Sequence, residues 1–173
     1  MSFPLSEPDL IAIDDELAAG KSLEAAIGHR LRTSRAANGA LVIDDTGDTD
    51  RDGMASALRF LAQVTGESVR SVAVLGEFDA DGADALEEHD YIGRLVVRLN
   101  IGQLVAVGHA ARHIQSAAGL EGSWDGESLI VETPAEAYDL LRGQLRENDV
   151  VLVKASTRAG LGQLVQQLEG ATR

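Results

Sequence analysis

Carboxylates are the side chains most able to do chemistry in this 173-residue chain, and they crowd into two short stretches. Asp44, Asp45, Asp48, Asp50 and Asp52 fall within the run DDTGDTDRDG. Inside it, Asp48-x-Asp50-x-Asp52-Gly53 reproduces the first six positions of an EF-hand calcium loop. There, alternate carboxylates wrap a hard cation and the glycine permits a sharp turn. This makes Asp48, Asp50 and Asp52 candidate ligands for a divalent cation, Ca²⁺ or Mg²⁺. The match ends at the twelfth position, where the bidentate Glu of such a loop is Arg59. The alternative is a solvated acidic turn in which Asp52 caps a following helix. The second stretch, EFDADGADALEEHD from Glu77 to Asp90, poses the same choice. Crowded carboxylates repel one another unless a cation or cationic ligand sits among them, or water surrounds them.

Other candidates are weaker in pattern. His109 and His113 have a spacing that places two imidazoles on one helix face, but the Glu of an H-E-x-x-H site is missing, so a helix-surface reading stands against it. His29 and His89 stand alone and read as surface or capping residues. Gly20-Lys21-Ser22 ends like a phosphate loop, yet Asp15 occupies the opening glycine's place and the segment reads as helix, which rejects it. Lys154-Ala155-Ser156-Thr157-Arg158-Ala159-Gly160 leaves an apolar run and precedes a helical one. A lysine, a hydroxyl and an arginine at a helix N-terminus make a candidate anion site.

These groups need a scaffold, and the apolar pattern supplies one. Five short, nearly continuous apolar runs read as parallel strands buried on both faces: residues 40–44, 71–75, 103–107, 128–131 and 149–154. Helical spacing fills the intervals at residues 52–64, 83–100, 110–118, 134–146 and 161–168. Thr133 before Pro134 is a strong helix opening. The alternation predicts an α/β fold, a doubly wound, Rossmann-like and mostly parallel sheet with helices on both faces. Residues 29–35 read as an added antiparallel edge strand, joined to the next through Asn38-Gly39 in a two-residue type I′ hairpin. Residues 1–28 read as two short helices broken at Gly20, too few to form a core of their own, and so as an appendage or the tail of a preceding domain.

Composition removes several functions. With 28 acids against 15 bases the formal charge is −13, which opposes the counterion release that nucleic-acid binding requires. The absence of cysteine excludes disulfides, thiolate metal sites and thiol nucleophiles. No apolar stretch approaches membrane-spanning length and no basic and apolar leader opens the chain, so the expectation is a cytoplasmic protein with no membrane partner.

The blocks LVIDDT, SVAVLGEF, EEHDYIGRLV, LVAVGHAARHI and NDVVLVKASTRAGLGQLVQQL, in this order and spacing, resemble the C-terminal domain of the Mur ligases, from about Lys21 to Leu168. Within that family the ending is similar to the actinobacterial form of the branch that adds D-alanyl-D-alanine to UDP-N-acetylmuramoyl-tripeptide. The resemblance implies a doubly wound domain, residues 29–173, that closes over a central ATPase domain using ATP and Mg²⁺. It implies nucleotide contacts at Arg30 and Asp45, and substrate contacts at Asp48, Asp50, Glu77, His89, Lys154 and Ser156. The implied partners are the UDP-muramoyl peptide, D-alanyl-D-alanine and the central domain, in the same or another chain. The family's Tyr-Asn-Ala-Asn-Pro segment is replaced here by Gly47, Asp48, Thr49, Asp50 and Arg51. With no phosphate loop among the 173 residues, the chain alone is expected not to catalyse ligation. A diverged module holding a divalent cation or cationic ligand in its acidic loops, and an interaction domain with a degenerate site, remain the alternatives.

Overall fold

The computed structural model describes residues 32–80 and 82–170. The expectations for helices within residues 1–28, and for His29, Arg30 and Asp81, lie outside them. The strands are β1 (Arg32–Arg35), β2 (Leu41–Thr46), β3 (Ser71–Leu75), β4 (Gln103–Val107), β5 (Glu127–Val131) and β6 (Val150–Ala155). They form one sheet in the order β1-β2-β6-β3-β4-β5, with β1 antiparallel to β2 and every other pairing parallel. The helices are α1 (Arg51–Thr65), α2 (Ala85–Arg98), α3 (Arg112–Leu120), α4 (Pro134–Gln144) and α5 (Leu161–Leu168).

Alternation along the strands splits the core into two layers. Leu41, Ile43, Ala73, Leu75, Leu104 and Leu152 point toward α1, α2 and α3. Val42, Val74, Val105, Val151 and Val153 point toward α4 and α5. Apolar residues on both faces explain why these strands read as continuous runs instead of alternating ones. Gly93 lets α2 and α3 approach closely, since a Cβ there would sit 2.3 Å from the Ile114 carbonyl oxygen.

The hairpin before β2 differs from the two-residue expectation. Type I′ needs positive φ at both central residues, and only Gly39 has it, at +97°. The link instead spans residues 36–40, closed by Gly39 N–H to Ala36 C=O (2.9 Å) and Ala36 N–H to Ala40 C=O (2.8 Å). The Asn38 side chain is diverted to the Leu145 carbonyl, 2.8 Å away. Two helix starts also shift. A 3₁₀ turn, Gly82–Asp84, delays α2, and turns from Gly108 to Ala111 and His109 to Arg112 delay α3. His109 therefore lies before the helix that carries His113, and the two do not share a helical face.

At the amino-terminal ends of the parallel strands, Arg70 anchors a buried polar network. Its guanidinium donates to Asp149 (2.7 Å) and to the Gln103 side chain (2.7 Å). Gln103 donates in turn to Gln144 and Glu127, and Asp149 also accepts the Arg146 N–H. Asp149 is 2% exposed, so removing its cation strands a buried charge. Arg70→Met is expected to lower unfolding stability by about 3 kcal/mol. Arg142→Ala, which opens the exposed pair with Asp139 and the contact of the guanidinium over the Tyr138 ring, is expected to cost less than about 1 kcal/mol. Urea denaturation of the two variants checks the contrast.

Candidate functional site

Ligands bind doubly wound sheets at the carboxyl ends of strands, where neighbouring strands send their loops to opposite faces. Here β2 leads to α1 on one face, β6 leads to α5 on the other, and β3 returns to the first. Lys154 on β6 stands in register with Asp45 on β2 and Leu75 on β3. Its ammonium donates to Asp45 at 2.5 Å, and both side chains have no exposure. Burial pushes the Lys154 amine below its ordinary value, opposed by the attraction of Asp45 and Asp50.

The three loops above this pair are tied together. Gly47 N–H donates to the Ala155 carbonyl, Gly76 N–H to that of Lys154, and Ser156 N–H to that of Glu77 at 2.7 Å. Asp79 N–H reaches the Thr49 carbonyl at 2.8 Å. Asp48 accepts the Thr157 N–H at 3.3 Å, and hydrogen bonding from the Thr157 side chain first, then from this N–H, holds its carboxyl below the usual carboxylate range. Arg158 donates to Asp79 at 3.2 Å and lies 3.8 Å from Glu77.

On the α5 side of this edge lies a cavity of about 410 Å³ lined by Thr46, Ser156, Thr157, Gly160, Leu161 and Gly162. Gly160 takes φ +70° and leaves α5 with no side-chain cap. A Cβ at Gly162 would meet only the Thr46 hydroxyl, at 3.8 Å, so the backbone is open there. Ser156 is 2% exposed, and its Oγ has no hydrogen-bond partner. A buried hydroxyl beside an uncapped helix N-terminus can receive an anionic oxygen.

Asp45, Asp48, Glu77, Lys154 and Ser156 thus meet at one edge, in unequal roles. Lys154 is sealed beneath the loops and paired with Asp45, a placement that fixes the strand ends. His89 is buried too, its Nδ1 2.7 Å from the Ala85 carbonyl and its ring stacked on Phe78 at 4.2 Å, so it braces the loop after β3. The calcium-loop spacing does not become a cage. Asp50 caps α1 by accepting the Gly53 N–H at 2.9 Å, the task expected of Asp52. Asp52 pairs with Arg51 in solvent, and Asp48 turns to Thr157. Among the described residues no three His, Asp or Glu side chains converge on a metal position, His109 and His113 included. Thr46 and Gly162 were not singled out from sequence, whereas Gly160 closes the run read there as a candidate anion site. A glycine pair flanking the start of an apolar helix was the available signal.

The family model for the Mur ligase, glutamate ligase domain, matches residues 29–157. The chain belongs to the Mur ligase C-terminal domain family. It is 41% identical over 155 residues to the UDP-N-acetylmuramoyl-tripeptide–D-alanyl-D-alanine ligase of Mycobacterium leprae, covering 82% of this chain and 30% of that protein. The chain therefore spans about a third of such a relative's length. In structure it is similar to MurF from Acinetobacter baumannii (TM-score 0.65, 25% identity, 82% of this chain and 30% of that one). MurF from Thermotoga maritima, solved in complex with ADP, shares the fold (TM-score 0.63, 18% identity, 89% and 37%). No helix of the Mur ligase domain's described residues is long and apolar enough to cross a membrane.

Lys154→Met is expected to destabilise the domain by about 3–5 kcal/mol, because Asp45 then stays buried without its cation. Lys154→Met combined with Asp45→Leu should recover much of that loss, and thermal and urea unfolding read both. The pH response has a defined sign. The amine titrates lower in the folded chain than its ordinary 10.5, so in the alkaline window below that value the unfolded chain binds more protons. This pair's contribution to stability therefore rises with pH there, and the rise should vanish in the double variant.

Proposed function

We propose that residues 29–173 are the acceptor-binding domain of an ATP-dependent ligase that joins D-alanyl-D-alanine to UDP-N-acetylmuramoyl-tripeptide, with residues 1–28 as the tail of its central domain. The carrying observation is the cavity at the head of α5, where the Ser156 hydroxyl is buried without a partner beside a helix start that no side chain caps. The dipeptide's carboxylate is the group that such a pocket suits, held by Ser156 and the first turn of α5. That leaves its amine free to attack the activated tripeptide. Asp45 and Lys154 hold the strand ends in register, and Asp48, Asp50 and Glu77 shape the rim. Arg30 is assigned to nucleotide from the family resemblance.

The described residues do not fit a resident Mg²⁺, since no metal-holding group forms among them, and no step is routed through one. ATP activation is assigned to the central domain. Its product would be an acyl phosphate on the tripeptide, which this domain meets by presenting the amine in reach and orientation. The cytoplasm, where nucleotide-linked precursors and ATP are available, is the compartment consistent with this role.

Calorimetric titration of the chain with D-alanyl-D-alanine should show binding that Ser156→Ala weakens about tenfold, the loss of one hydrogen bond to a charged group. The chain alone should show no ATP-dependent ligation. Absence of dipeptide binding, or equal binding by Ser156→Ala, would remove the reading.

A further inference from the structure

The outer face of α2 is unlike the rest of this acidic surface. Asp84, Glu87, Glu88, Tyr91, Arg94 and Arg98 recur at helical spacing, so they share one face. Together with Arg51 of α1 they border a groove of about 490 Å³. The charges are graded along it, with acids over the first turns and arginines over the last. Tyr91 sits midway, its hydroxyl accepting from Arg59 at 3.2 Å and the Arg51 guanidinium 5.5 Å from its ring centre.

That grading has a two-fold character. Asp84 and Arg98 stand seven positions either side of Tyr91, and Glu88 and Arg94 three. An identical helix laid antiparallel across this face, with the axis through Tyr91, brings Asp84 opposite Arg98 and Glu88 opposite Arg94, each pair twice. A two-fold interface must be self-complementary in this way. The charges are also poorly used within one molecule. Arg94 is 3.8 Å from Asp90, beyond hydrogen-bond distance, and Arg98 has no ion-pair partner among the described residues. Arg51, Arg94 and Arg98 stand against Asp84, Glu87, Glu88 and Asp90 around the groove, so two such faces can meet with their own charges nearly balanced although each chain carries −13.

We propose that this face of α2 is a self-association surface, whose partner is the antiparallel α2 of a second copy of the chain. Exposed ion pairs are individually weak, so the dimer is a reversible one that screening dissolves. Sedimentation equilibrium on the full chain should show a mass that climbs toward the dimer with concentration at about 0.1 M salt, where a screening length of about 10 Å damps the repulsion between net charges and spares contact pairs. It should return to the monomer at about 1 M, as the screening length falls to about 3 Å.

Charge exchange tests the geometry. Asp84→Arg with Glu88→Arg makes the stripe basic, and Arg94→Glu with Arg98→Glu makes it acidic. Each variant alone should stay monomeric, and an equimolar mixture should form a heterodimer. Circular dichroism confirms that each is folded, and the wild-type salt series stands whether or not they are. A wild-type chain that remains monomeric to about 1 mM, a dimer indifferent to salt, or folded variants that dimerise as well alone as mixed would overturn the proposal.

Discussion

A lysine and an aspartate with no access to water, 2.5 Å apart, hold together the edge on which the rest of the site depends. Burying both charges costs several kcal/mol each, and the attraction between them offsets that only while the geometry is close. The pair therefore works as a constraint more than as a source of stability. It requires β2 and β6 to end in register, because a slip of one residue would turn Asp45 or Lys154 to the opposite face. Once these ends are fixed, the loops above can be joined by short backbone bonds, from Gly47 to Ala155, Gly76 to Lys154 and Ser156 to Glu77. The cavity at the head of α5 is a consequence, since Ser156 is carried there by the strand that Lys154 anchors.

The opposite end of the sheet is built on the same principle with another cation. Arg70 ties β3, β6 and β4 through Asp149 and Gln103, so the central strands are pinned at both ends by buried charge. Between the pins the strands are largely aliphatic. Most of the acid excess lies elsewhere: residues 44–52 and 77–90 carry −11 of the −13. Much of it is spent locally, on capping α1, on the Thr157 N–H and on Arg158. Those partners offset the mutual repulsion of the five acids in the first loop.

β2, β3, β4 and β6 were legible because parallel strands covered on both faces are largely apolar, whereas β5, also expected to be buried on both faces, is a half-exposed edge strand. All five runs fall within two residues of the observed limits. Thr133 and Pro134 marked α4 for the same local reason, since cap chemistry is short-range. Among the other departures, the hairpin and Lys154 were set by distant contacts, and the start of α1 by the choice between two nearby caps. The hairpin changed because Asn38 found a carbonyl 107 positions away. α1 begins one turn-defining residue earlier than expected because Asp50, not Asp52, sits where its side chain meets a free N–H. Lys154 at a strand exit reads as a solvent-facing ligand, and only the insertion of β6 between β2 and β3 reveals that it is enclosed. The structure brings Asp45, Asp48, Glu77, Lys154 and Ser156, which the resemblance singled out, to one sheet edge.

The central claim is that this edge presents the head of α5 to a carboxylate while the Asp45–Lys154 pair beneath remains closed. Mapping amide NMR shifts of the chain as D-alanyl-D-alanine is added tests it directly. The account predicts that the perturbed amides cluster at Thr46, Ser156 and residues 160–163, with Asp45 and Lys154 still protected from hydrogen exchange. Perturbations confined to the acidic loops or to α2, or exposure of Lys154 on binding, would contradict it.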